Sequence, residues 1–418
     1  MTPTRSAFSS SIGSNRPDGR RLARQIGPLL AAAIVAGPGC AAPIKPDAQV
    51  PPAQIESILA LTWEGYRERF IEPDGRVIRP TDGFDTVSEG QAYAMLRAVW
   101  MNDQETFDRV YRWTESNLSR RSARGDRLLA WHWGSLPGGG WGVLDWAAAS
   151  DADEDFALAL LFAARRWGDT RADVPPYRAH AGQVLADILD KETRRGSDGR
   201  LYLVPGDWKE EALVVNPSYF SPAWYRIFYE ATRDPRWNEL IESSYHAIDA
   251  LAIRFGERTG VGLMPDWAAL APGGGFAPRP GQSDAHGWDA FRTAWRIGLD
   301  WLWFKEPRAH RYLAERLYPF LKAEWNRNGG TLFAEYSYDG TPLVAYESAT
   351  TYSGYLAAFL VADSPAAPDL LEKLRGSVRR DTGGAFFAPK DDYYLNNWAW
   401  FGLLLGGGRA IDLSRERS

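Results

Sequence analysis

Three segments place carboxylates where their company invites acid–base chemistry. They are Ser88, Glu89, Gly90, Gln91; then Ser150, Asp151, Ala152, Asp153 with Glu154 and Asp155 behind; and Trp288, Asp289, Ala290, Phe291, Arg292. Acids crowded together cost electrostatic energy unless a site uses them. Part of the pattern is ordinary helix chemistry. Ser150 answered by Asp153 reads as an N-cap pair, and Ser88 with Gln91 reads as a capping box. Glu89, Asp151 and Asp155 remain unexplained by capping, although a first-turn acid also favours the helix dipole. Asp289 has Arg292 three residues on, able to hold it ionised and oriented; a purely structural Asp–Arg pair reads the same way.

Cleavage of a glycosidic bond needs such a set. One protonated carboxyl serves the leaving oxygen, and one ionised carboxylate, roughly 6.5–9.5 Å away in an inverting enzyme, activates water. On that scheme Glu89 is the candidate general acid and Asp289 the candidate general base. Asp151 is placed to hold sugar hydroxyls at the cleavage point. Metal chemistry finds no support: a calcium loop starting at Asp151 would need Gly and Glu where Phe156 and Phe162 stand. The five histidines are scattered without an HExxH pair, so no metal and no cofactor is expected. Trp131, Trp133, Trp141, Trp208 and Trp267 lie in Gly-, Pro- and Asp-rich loops. Tryptophans are core residues more often than ligand platforms, but flat rings on a rim would suit the apolar faces of β-linked sugars.

These residues need elements to gather them. Helical periodicity recurs at 52–71, 88–102, 103–121, 150–167, 176–193, 217–232, 235–254, 288–304, 307–325, 348–361, 367–380 and 394–405. The character of the segments alternates. Segment 103–121 is studded with charge, whereas 348–361 and 394–405 carry none. An amphipathic helix fits an outer ring, and one apolar nearly all round must be buried. The pattern predicts an all-α toroid of six helical hairpins, an (α/α)6 barrel, over residues 52–410 with a tail at 411–418. The polar motifs open the apolar segments, so parallel inner helices would converge Glu89, Asp151 and Asp289 on one mouth. Aromatic-rich loops would rim the resulting substrate cleft.

Bulk composition narrows the partners. The 418 residues are 45% hydrophobic, with 19 Trp, 18 Tyr and 18 Phe, and carry a formal charge of −5. An acidic body without a Lys/Arg run argues against nucleic acid and against an anionic membrane surface. At the N-terminus Arg20, Arg21 and Arg24 precede an apolar run and a small-residue stretch ending at Cys40. That reads as an export signal over 1–40, followed by a linker at 41–51. Cys40, the single cysteine, is a candidate lipidation site. The expected location is therefore periplasmic, secreted or lipid-anchored at the cell envelope, with membrane contact only through that anchor. The chain is expected to be a monomer.

Taken together, these motifs resemble family 8 of the glycoside hydrolases, once called cellulase family D. The stretch 149–167 matches that family's signature, with Phe156 where Ile or Met is usual. The Ser88–Tyr93 segment looks like the one carrying the family's proton donor, which maps to Glu89. The segment 288–292 looks like the one carrying the base of the cellulase-type subgroup, which maps to Asp289 with Arg292 supporting it. Asp151 matches the aspartate near the cleavage subsite, and the block 216–224 implies a site role for Tyr219. The resemblance implies an (α/α)6 barrel and an inverting endo-β-1,4-glucanase acting on cellulose or mixed-linkage β-glucan. A xylan- or chitosan-directed hydrolase of the same family is the alternative, and a non-catalytic glycan-binding protein is a more distant one.

Overall fold

A computed structural model of the chain describes residues 52–169, 176–208 and 210–415. The expected export segment, Cys40 and the linker lie outside the described residues. Among those described, twelve principal helices follow in chain order: α1 (Pro52–Phe70), α2 (Ser88–Trp100), α3 (Gln104–Asn117), α4 (Ser150–Trp167), α5 (Tyr177–Lys191), α6 (Pro222–Thr232), α7 (Arg236–Ile253), α8 (Phe291–Phe304), α9 (the helical run 307–327), α10 (Ala349–Val361), α11 (Ala367–Gly376) and α12 (Tyr393–Gly406).

The even-numbered helices form the inner ring. Each packs on the next from α2 to α12. The ring closes where Tyr93 of α2 meets Trp398 and Phe401 of α12 edge-on, with ring centres 5.7 and 5.5 Å apart. An odd-numbered helix covers each inner one: α3 on α2, α5 on α4, α7 on α6, α9 on α8, α11 on α10 and α1 on α12. This is the (α/α)6 barrel that the alternation predicts. Its physical basis is visible in α2 and α3. Every residue of α2 is buried, while α3 turns Phe107, Val110, Tyr111 and Trp113 inward and leaves Glu105 and Arg112 exposed. Aromatic rings fill the axis, with Trp295, Trp398 and Phe401 in mutual contact.

The loops at the inner N-termini carry short strands that the periodicity did not reveal. Strand Thr86–Val87 pairs with His132–Ser135, which pairs with Trp141–Asp145. A second small sheet joins Val214–Val215 to Ala268–Leu270 and on to Phe276–Ala277. The segment expected to be helical over 217–232 is divided: Pro217–Tyr219 form one tight turn, and α6 starts afresh at Pro222. Pro222 suits a helix start but disfavours helical backbone at Ser221, which breaks the run. Within the expected tail, residues 411–415 touch the barrel at two points. Leu413 is buried, and Trp100 donates its indole N–H to the Ile411 carbonyl at 3.1 Å.

Candidate active site

The two small sheets bring the candidate residues into place. Thr86–Val87 runs directly into α2, and the Ser88 N–H donates to the Trp131 carbonyl at 2.9 Å, so the hairpin seats the first turn carrying Glu89. In the second sheet Val215 lies opposite Ala268. Asn216 and Trp267, the next residue out on each strand, therefore reach the mouth side by side. The α4 start is held from below, where Ser150 donates its hydroxyl to the Val204 carbonyl at 2.8 Å.

Arg292, fully buried in the first turn of α8, joins the three carboxylates. Its Nη1 donates to Glu89 Oε1 and to Asp151 Oδ2, both at 2.9 Å, and its Nη2 donates to Asp289 Oδ1 at 2.7 Å. Asp289 also accepts from Asn216 Nδ2 at 3.1 Å, and the nearby Trp267 side chain favours its charged form. Glu89 accepts from the Tyr93 hydroxyl at 3.2 Å. The guanidinium lies over the Tyr219 ring, 5.2 Å from its centre.

One cation shared by two buried carboxylates and a third nearly buried one cannot neutralise them all. Burial and like charges both disfavour ionisation in such a cluster. Burial, with Glu89 beside it, raises Asp151 well above the ordinary carboxylate range, against the pull of Arg292. Burial also raises Asp289, and Arg292 with Asn216 and Trp267 opposes the rise. Asp289 is the carboxylate of the three most open to solvent, with its side chain 14% exposed. The arrangement thus sets two carboxylates, Glu89 and Asp151, on one guanidinium nitrogen and a separately oriented one, Asp289, on the other. That is the equipment for acid–base hydrolysis of a bond lying between them.

Several first-turn residues that read as caps in the sequence find other partners. Ser150 and Asp153 do not cap α4; Asp153 accepts from the Leu129 N–H at 2.9 Å instead. Ser88 and Gln91 do not form a capping box. Gln91 accepts from the Val77 N–H at 2.6 Å and donates to Thr114 at 2.8 Å. Asp155, left unexplained by capping, forms a buried bidentate pair with Arg296 beneath the site, both bonds at 2.9 Å.

The tryptophans divide. Trp141 is 49% exposed at the hairpin and stacks on the half-buried Trp133 at 5.3 Å. Trp131 is half-buried and stacked on His132 at 4.6 Å, and Trp208, also half-buried, donates to Glu210 at 3.2 Å. Trp267 is no rim platform: it is buried against Tyr219, brought near Asp289 by its strand pairing. Asn216, Tyr93 and Tyr394 were not singled out as site residues. The Tyr394 hydroxyl donates to the Trp288 carbonyl at 2.6 Å; its place at the start of an uncharged helix was the available signal. Among the described residues no set of three His, Cys, Asp or Glu is grouped to hold a metal ion.

Comparison with known proteins agrees with this architecture. The family model described as glycosyl hydrolases family 8 matches residues 51–397. The chain is 35% identical to endoglucanase A of Acetivibrio thermocellus over 269 residues, 62% of this chain and 52% of that protein. It is 31% identical to an endoglucanase of Escherichia coli K12 over 242 residues, 57% of this chain and 61% of that protein. It thus spans about half to three-fifths of the curated relatives it matches. Among solved structures, the endo-1,4-D-glucanase from Vibrio fischeri ES114 superimposes with a TM-score of 0.68 at 26% identity, covering 82% of this chain and 94% of that one. A β-1,3-1,4-glucanase from Paenibacillus sp. X4 shares the fold with a TM-score of 0.74 at 23% identity, covering 88% and 96%. With the match spanning nearly all the described helices, the chain belongs to family 8 of the glycosyl hydrolases.

Proposed function

We propose that the chain is an exported, inverting endo-β-1,4-glucanase acting on cellulose or mixed-linkage β-glucan. The observation that carries this reading is the convergence of Glu89, Asp151 and Asp289, from the starts of three inner helices, on the single guanidinium of Arg292. Glu89 gives its proton to the glycosidic oxygen as the C1–O bond breaks. Asp289 takes a proton from the water whose oxygen bonds to C1 from the opposite face. Asp151 holds the sugar at the cleavage subsite, and Arg292 keeps the base ionised and directed. Tyr219, beside the guanidinium, contributes to that subsite. The half-buried Trp131, Trp133 and Trp208 and the exposed Trp141 offer rings to the flanking sugars. The endoglucanase names of the relatives favour a β-glucan over xylan or chitosan. Export, a lipid anchor at Cys40 and a monomeric state complete the proposal and rest on the sequence.

The experiment is reducing-end release by the purified protein on carboxymethyl cellulose, β-1,3-1,4-glucan, xylan and chitosan, with the anomer of the first product read by NMR. Activity on the first two with the α-anomer formed first is the expected result. Cleavage of xylan or chitosan alone overturns the substrate assignment. Tight glucan binding with no cleavage of any of the four overturns the enzyme.

A further inference from the structure

A fourth carboxylate stands at the mouth without a part in the chemistry above. Asp266 precedes Trp267 and is 6% exposed. Its Oδ1 accepts three backbone N–H groups: Gly287 at 3.2 Å, Asp289 at 3.1 Å and Ala290 at 2.9 Å. Its Oδ2 accepts the Ser283 hydroxyl at 2.7 Å. Its own N–H donates to the Ala285 carbonyl at 2.7 Å, which ties the two loops together. The three N–H groups belong to the backbone leading into α8, and that of Ala290, the N-cap, is one of the donors a helix leaves without an intrahelical partner. No side chain of the α8 N-cap residue, Ala290, performs that service. A residue 24 positions upstream does it instead.

The choice of residue is costly. Burial and the neighbouring Asp289 push the Asp266 carboxyl up to about 7, against the bonds it accepts from Ser283 and the backbone. A helix start needing only a cap could use Ser or Thr without setting a second acid against the first. The fit is also close: a Cβ on Gly287 would stand 2.8 Å from Asp266 Oδ2, so the glycine is what lets the carboxyl approach.

We propose that Asp266 is the positioning residue of the general base: by gathering the backbone of residues 287–290 on one oxygen, it fixes the turn from which Asp289 reaches Arg292 and Asn216. The inference rests on the hydrolase reading of the site. Asp266 acts through Asp289 and does not face the scissile bond.

The test measures kcat, KM and melting temperature for Asp266→Asn and Asp266→Ala on whichever β-glucan the native protein cleaves. Asn keeps an acceptor oxygen for the three N–H groups, and Ala keeps none. The expected result is a fall in kcat of about 100-fold for Ala, the scale of a ~1 Å misplacement of a reacting group. KM should stay within about threefold, and Asn should recover kcat to within about tenfold of native. Should the Ala variant fail to fold, Gly287→Ala displaces the same carboxyl and should give the same split. Near-native kcat in the folded Ala or Gly287→Ala variant, or an Asn variant as impaired as Ala, overturns the inference and leaves the hydrolase reading standing. A native protein that cleaves none of the glucans overturns both.

Discussion

Arg292 decides the electrostatics of the site at the scale of single residues. It donates to Glu89, Asp151 and Asp289 from a position of complete burial. Removing one partner of such a group leaves charge uncompensated and costs about 3–5 kcal/mol. Arg292→Ala is therefore expected to lower the melting temperature sharply at pH 7. The loss should shrink toward pH 4, where the freed carboxyls can take up protons. A loss independent of pH would contradict the charge account. Residue types at this scale were largely legible: Glu89, Asp151, Asp289 and Arg292 all stood out in the sequence, and they meet. Their partners were less so. Gln91 looks like half of a capping box, yet it bonds to Val77 and Thr114. The first turn of an inner helix is pressed upon by loops and neighbouring helices, so tertiary donors displace the local ones that a sequence pattern presumes.

At the scale of elements, the inner helices stand close because small residues face their neighbours. Gly354 of α10 is the clearest case: a Cβ there would lie 2.1 Å from the Phe291 carbonyl oxygen at the start of α8. Phe291 lies two residues from Asp289 and one from Arg292, so this contact also bears on the site. Gly354→Ala is expected to destabilise by about 1–3 kcal/mol through overpacking, read by chemical denaturation, and to lower activity of the folded fraction. An unchanged midpoint would show that the helices can part at no cost. Helix existence and the inner–outer alternation were readable because charge-free segments such as 394–405 must be buried. The strands were not. Runs of two to five residues such as Thr86–Val87 and Val214–Val215 are too short to show alternation, and they are stabilised by pairing across 45 to 55 residues. The burial of Trp267 near Asp289 depends on that pairing, which is why the sequence alone puts it on the rim.

The whole molecule carries its acids inside as well as outside. Burial raises Glu115 to about 7 and Glu154 to about 8, and lifts Asp151, Asp153 and Glu192 in the same direction. In the unfolded chain these groups lose their protons near pH 4 to 4.5. Between there and pH 7–8 the folded state holds more protons than the unfolded state, so stability falls as pH rises. His180 and His286, depressed to about 4 by burial, act oppositely between pH 6.5 and 4, but they are outnumbered. The melting temperature is therefore expected to decline from about pH 5 to pH 8, with a shallower decline in Glu154→Gln. A melting temperature that climbs steadily to pH 8 would contradict this balance.

The toroid brings the starts of α2, α4 and α8 to one mouth, and on the proposed function Glu89 and Asp289 act there as acid and base. The most direct measurement is the turnover of Asp289→Asn on β-1,3-1,4-glucan beside the native protein, with melting temperatures to establish that both are folded. Asn retains the shape and the bond from Asn216 can re-form, but it cannot take a proton from water. The account predicts a loss of at least about 100-fold. A folded variant that turns over within a few-fold of the native rate would contradict the assignment of Asp289 as the base.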